Sequence, residues 1–281
     1  MTEFAFQQVD VFSTEPFRGN PLAVVLGADG LSDAEMARFA NWTNLSETTF
    51  LLRPTKAGAD YRVRIFTPAR ELPFAGHPTL GSAHAWLRAG GVPKGRDIIQ
   101  QCQVGLVTVR RSQGELAFAA PPLRRSGPVD PAMVARIRAG FGLEPEAVVA
   151  AHWVDNGPGW LALLLRSRAD VLAAKPDYAA LAPMDLRAGL VGPWDGAPDP
   201  AGAGFELRAF ICPEGYEDPV TGSLNASVAQ WLINEGRAPE AYIAAQGTAL
   251  GRAGRVSLRR DAEGVWVGGA TVTCIEGRVS F

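Results

Sequence analysis

Cysteine and histidine are scarce in this 281-residue chain, three of each. Cys102, Cys212 and Cys274 lie far apart and are odd in number. That argues against a disulfide framework and suits a reducing cytoplasm. The histidines make a poor metal set. His77 and His84 are seven residues apart, which on a helix is roughly 10 Å at ~1.5 Å per residue. His152 precedes Trp153 in an apolar stretch and reads as a packed core residue. There is no HExxH and no Cys-x-x-Cys, so no metal is expected. Walker loops are missing, and so is a GxGxxG opening a helix after a strand; no nucleotide or other cofactor is expected. No GxSxG elbow is present, which leaves a hydrolase without its nucleophile. Basic excess is also lacking: the net charge is −2 and arginine pairs such as Arg110-Arg111 are scattered, unlike a nucleic-acid binder. No apolar run approaches the roughly 20 residues that span a bilayer. The opening MTEFAFQQVDVF has neither a basic n-region nor an apolar h-region, so no signal peptide and a cytoplasmic location are expected.

What is present is a globular composition, 47% hydrophobic and 20% charged, enough for one large domain or two ordinary ones. The chain also repeats itself. HPTLGS at 77–82 returns as DPVTGS at 218–223, an offset of 141. PLAVVL at 21–26 resembles WLALLL at 160–165, and GLVTVRR at 105–111 resembles GRVSLRR at 254–260. The matches keep one order at nearly constant offset, which predicts a duplicated architecture. Two α/β lobes are expected, over 1–120 and 121–269, with a boundary near PPLRRSGPVDP and the strand at about 270–281 packing back on the first lobe. YRVRIF alternates as a half-buried strand does. Ser32 and Glu35 form a capping box ahead of one helix. Many close-spaced strands with few helices predict a mixed or antiparallel sheet in each lobe.

In the repeated motif, proline suits the first turn of a helix and Asp218 suits its N-cap. The small residues Gly81, Ser82, Gly222 and Ser223 allow a ligand near the backbone. Free N–H groups at such a helix start attract an anion. The pairing, with His77 and Asp218 beside the prolines, points to a carboxylate-bearing small molecule; a plain helix start is the alternative for either copy alone. Glu47 in NLSETTF sits between a fading helix and a buried strand. A carboxylate there is either hydrogen-bonded, paired with an arginine, or used for proton transfer. Cys212, alone before a proline at the end of an apolar strand, reads as structural.

VDVFSTEPFRGNPLAVV, NLSETTF, VRIFTPARELPFAGHPTLGSA, YEDPVTGS and the closing GRAGRVSL…VWVGGA together resemble the PhzF-like proteins, from Val9 to about Gly277. The resemblance implies the diaminopimelate epimerase fold, an α/β (α+β) architecture of two pseudo-symmetric lobes, each a sheet wrapped around a central helix. It implies an active site in the cleft between them, cofactor-free proton transfer and a homodimer. It implies that Glu47 shuttles a proton and that His77, Asp218 and Ser223 surround the ligand. Gly81 and Gly222 are expected to offer helix-start amides to the substrate carboxylate, with Asn20, Ser46, Gly76 and Ser82 in the surrounding motifs. Two departures stand out. Leu224 replaces a common alanine and is expected to reshape the cleft, and the two cysteines that racemise diaminopimelate are missing. The expected function is thus a cofactor-independent isomerase or epimerase of a small carboxylate-bearing metabolite. The alternative is a non-catalytic member that binds a metabolite or a protein.

Overall fold

The computed structural model describes residues 1–112, 114–195 and 197–281. They form two compact units, one of 1–119 with 268–281 and one of 120–267. Among the described residues, no helix is long and apolar enough to cross a membrane.

In the first unit, strand Glu3–Val11 pairs antiparallel with Asn20–Leu26 and with the C-terminal strand Thr271–Ser280. A crossover through helix Asp33–Thr43 returns the chain parallel to Asn20–Leu26 as strand Glu47–Leu52. Strand Tyr61–Phe66 follows antiparallel, with the short Glu71–Leu72 against it. Helix Gly76–Arg88 comes next, then strand Ile98–Cys102, parallel to Tyr61–Phe66. The second unit repeats this order. Val148–Asp155 and Trp160–Leu165 are antiparallel, and Trp160–Leu165 runs parallel to Arg187–Pro193. Ala203–Ile211 is antiparallel to that strand and carries the short Tyr216–Asp218. Helix Gly222–Asn234 then leads to Ala241–Gln246, parallel to Ala203–Ile211. The sheets are mixed because each crossover helix produces one parallel pair, while tight connections make the rest antiparallel.

Local sequence explains the elements. Ser32 and Glu35 close a capping box on helix Asp33–Thr43, and Asn44 ends it at φ 53°, a conformation asparagine tolerates. Trp160–Leu165 is buried at all six positions, so it reads as a continuous apolar run rather than an alternation. Each central helix packs against strands of its own unit. Helix Gly76–Arg88 comes close because Gly81 lacks a side chain: a Cβ there would meet Leu22 Cδ2 at 2.6 Å and Val9 and Val11 at 3.0 Å. In the second unit the roles reverse, and Leu224 fills the space over Gly189, where a Cβ would meet Leu224 Cδ1 at 2.6 Å. Leu224 is fully buried. Its expected effect on a cleft is corrected: its volume is taken up by core packing against a glycine.

The two halves match in topology, but the motif that revealed the repeat is out of register. The central helices have N-caps at Ala75 and Thr221, 146 residues apart rather than the 141 that separates HPTLGS from DPVTGS. His77 and Pro78 lie inside the first turn of their helix, whereas Asp218 and Pro219 precede theirs. Asp218 is therefore not an N-cap; it ends strand Tyr216–Asp218.

Candidate active site

Glu47 is the first residue of its strand, beside Leu22 of the parallel neighbour. The left-handed Asn44 turns the chain out of the preceding helix, and the half-buried Ser46 leads into the strand. This places the Glu47 side chain, 16% exposed, against the His77 imidazole, 6% exposed, with Oε2 and Nε2 3.4 Å apart. That separation exceeds an ordinary N–H···O bond. His77 is the second residue of helix Gly76–Arg88. Burial pushes its imidazole down to about 3, so at neutral pH it offers Glu47 a hydrogen-bonding nitrogen rather than a positive charge.

The helix start at His77 has no side-chain cap. Ala75 has no capping side chain, and no acidic residue lies in the first turn. Helix Gly222–Asn234 also lacks a side-chain cap and a first-turn acid. Among the described residues, other α-helices are capped by the side chains of Ser32, Asp130, Ser167 and Asp177. The central helices thus leave first-turn amides, those of Gly76 and His77 and of Gly222 and Ser223, without a side-chain acceptor.

In the second unit, Asp218 Oδ2 accepts a hydrogen bond from Thr221 Oγ1 at 2.5 Å. Ser223, second in its helix, accepts from Trp160 Nε1 at 3.0 Å through Oγ and from Asn156 Nδ2 at 2.9 Å through its carbonyl. Because the indole only donates, the serine's own hydrogen is available to another acceptor. The turn DNGPGW at 155–160 therefore braces Ser223 from both ends.

Other expected residues fall elsewhere. Gly81 is not at a helix start; it lies in the interior of helix Gly76–Arg88, where its amide belongs to the helical ladder. Its role is close packing. Ser82 is fully buried and donates to Thr49 Oγ1 at 3.0 Å, tying the helix to a strand. Asn20 opens its strand opposite Val11 and is fully buried. Burial raises the Cys212 thiol to about 11, as a structural cysteine requires. His152 is only part-buried, stacked on Trp231 with ring centroids 5.1 Å apart and 3.8 Å from Glu235. Among the described residues, no group of three or more His, Cys, Asp or Glu side chains could hold a metal ion. Sequence reasoning missed Thr221, Asn225 and Gln246 around Asp218. No motif or spacing ties Gln246 to a residue 28 positions earlier.

His77 makes acid stability testable. The unfolded imidazole takes a proton near its ordinary 6.5, the folded one near 3. Between these values the unfolded chain binds more protons, so stability present above about pH 6.5 is lost as pH falls toward 3. Denaturant midpoints measured from pH 7 to 4 should fall with acid in the wild type and less steeply in His77→Gln.

The family model for phenazine biosynthesis-like proteins, PhzC-PhzF, matches residues 9–277. Antisense-enhancing sequence 1 of Schizosaccharomyces pombe is 37% identical, over 99% of both chains. Trans-2,3-dihydro-3-hydroxyanthranilate isomerase of Pseudomonas aeruginosa is 33% identical, over 96% of this chain and 97% of that one. Among solved structures, a PhzF-family protein of Enterococcus faecalis superimposes with TM-score 0.82 at 26% identity, each chain covered fully. A probable proline racemase of Agrobacterium radiobacter shares the fold at TM-score 0.60 and 12% identity, over 99% of this chain and 93% of that one. The architecture is thus the diaminopimelate epimerase-like α+β fold, and the chain belongs to the PhzC-PhzF family of phenazine biosynthesis-like proteins.

Proposed function

We propose that this protein is a cofactor-independent isomerase or epimerase that moves a carbon-bound proton on a small carboxylate-bearing metabolite, amino-acid-like or cyclic. The observation that carries the reading is the Glu47 carboxylate 3.4 Å from the His77 imidazole at an uncapped helix start. Several relatives bear the name isomerase, and the relative from Pseudomonas aeruginosa is named for a cyclic amino carboxylate. The chain is accordingly read as an isomerase of this family with its own substrate.

Glu47 acts as the general base, taking a proton from a carbon activated by the substrate carboxylate, and then as the acid that returns it to a neighbouring carbon; inversion at the same carbon needs a second acid on its opposite face. The transferred proton resides on the Glu47 carboxyl between the two steps and exchanges there with solvent, so the reaction balances without an added reagent and the product gains deuterium in heavy water. The amides of Gly76 and His77 oppose the negative charge that builds on the substrate carboxylate, where fixed dipoles are most effective. His77 orients the Glu47 carboxylate and exchanges hydrogen bonds with it. In the second unit, Asp218 and Ser223 are the proposed substrate contacts, the serine through its remaining hydrogen. The reading includes a homodimer, for which light scattering should return twice the 29.9 kDa chain mass.

The test is deuterium incorporation. The protein is incubated in heavy water with amino acids and cyclic carboxylates, including the substrate that names the Pseudomonas isomerase. A one-dalton gain is expected for at least one compound. A compound shown to bind without exchanging any carbon-bound proton would favour the non-catalytic, metabolite-binding reading.

A further inference from the structure

Gln246, the last residue of strand Ala241–Gln246, is fully buried and uses its side-chain amide four times. Its Oε1 accepts from the Thr221 backbone N–H at 2.9 Å and from Asn225 Nδ2 at 2.8 Å. Its Nε2 donates to the Asp218 carbonyl at 3.1 Å and to Thr221 Oγ1 at 2.9 Å. The backbone partners settle which end is which: an N–H must face oxygen and a carbonyl must face the NH₂ group. The strand end lies tight against this segment, since a Cβ on Gly247 would come within 2.8 Å of the Pro219 carbonyl.

The consequence is for Thr221. A threonine at an N-cap ordinarily accepts from the helix's own amides; this one makes no such bond. Its oxygen already accepts from Gln246, so its single hydrogen goes to Asp218 Oδ2, 2.5 Å away. That length is typical of a hydroxyl donating to a carboxylate.

The first unit holds the same device with a different end. Gln100 sits on the corresponding strand, 146 residues before Gln246, and Thr79 stands 146 residues before Asn225. Gln100 Nε2 donates to Thr79 Oγ1 at 3.0 Å, and Gln100 Oε1 accepts from the Tyr61 hydroxyl at 2.9 Å. Thr79 then donates to the carbonyl of the N-cap, Ala75, at 2.9 Å, just as Asn225 donates to the carbonyl of Thr221 at 2.9 Å. In one unit the buried glutamine only braces the helix start. In the other the N-cap has gained a hydroxyl that reaches a carboxylate.

We infer that Gln246 and Thr221 are positioning residues for Asp218: the buried glutamine sets the direction of the threonine hydroxyl, and the hydroxyl holds the carboxylate in one orientation. That this orientation serves catalysis rests on the function proposed above; the hydrogen-bond relay itself does not.

Carbon-13 NMR of the full-length protein, labelled at aspartate Cγ, tests the relay without substrate. The Asp218 signal is assigned by its loss in Asp218→Asn. Thr221→Val should displace it and Thr221→Ser, which keeps the hydroxyl, should restore it. Nitrogen-15 labelling of the wild type should show the two Gln246 amide protons at distinct shifts with cross-peaks to Thr221, and Thr221→Val should move one of them. An Asp218 signal unmoved by Thr221→Val, or Gln246 protons indifferent to it, would overturn the relay. An intact relay in a protein whose Asp218→Asn variant exchanges deuterium at the full wild-type rate would overturn the role of Asp218 instead.

Discussion

Glu47→Gln should lose about 10²–10⁴-fold in the rate of deuterium exchange into a responsive substrate, the range that positioned acid–base groups supply. The substitution keeps the side chain's size and its ability to face His77, so thermal unfolding should remain close to wild type. The amide cannot accept and return a proton near neutral pH. On the proposed function the loss should fall on kcat with little change in KM, because that reading puts the carboxylate at the reacting carbon and leaves substrate holding to the helix amides. A Gln variant that exchanges at near the wild-type rate would sink the assignment of Glu47. His77 does not substitute for it, since burial keeps its imidazole neutral down to about pH 3.

Arg208→Met should destabilise the protein by about 3–5 kcal/mol, the usual result of leaving one member of a buried ion pair without its partner. Arg208 and Glu217 side chains are each 7% exposed, joined at 2.7 and 3.0 Å. The guanidinium also donates to the carbonyls of Val171 and Ala174 at 3.2 and 2.7 Å. Removing it strands the Glu217 carboxylate directly beside Asp218, on a strand of three residues. Arg208→Met with Glu217→Leu should recover much of the stability, because two apolar groups replace two charges. Urea midpoints for the single and double variants check this. A single variant within about 0.5 kcal/mol of wild type, the range of ordinary surface substitutions, would show that the pair is dispensable.

Much of the architecture was legible because it follows from periodicity and local chemistry. The capping box at Ser32 and Glu35 and the strand at YRVRIF are local signals, and each forms the element it predicts. The duplication was legible too, although its best motif misled the register. XPxxGS looks alike in both copies, yet proline is tolerated both inside a helix's first turn and ahead of it. The chain uses one option at Pro78 and the other at Pro219. Gly81 was misplaced for that reason. Leu224 was misread because its space is granted by Gly189, which is 35 residues away.

By itself, the sequence determined the family and the repeated α+β design, and it singled out Glu47, His77 and Asp218 as candidates for proton transfer. These depend on short strings whose spacing is set by turns and helix starts. Only the tertiary structure decided that His77 is a neutral partner 3.4 Å from Glu47, that both central helices begin uncapped, and that Asp218 is held through Thr221 by Gln246. The physical reason is that burial and hydrogen-bond direction belong to a neighbourhood. A buried amide must satisfy every donor and acceptor, and its partners come from strands that meet only after the chain has folded.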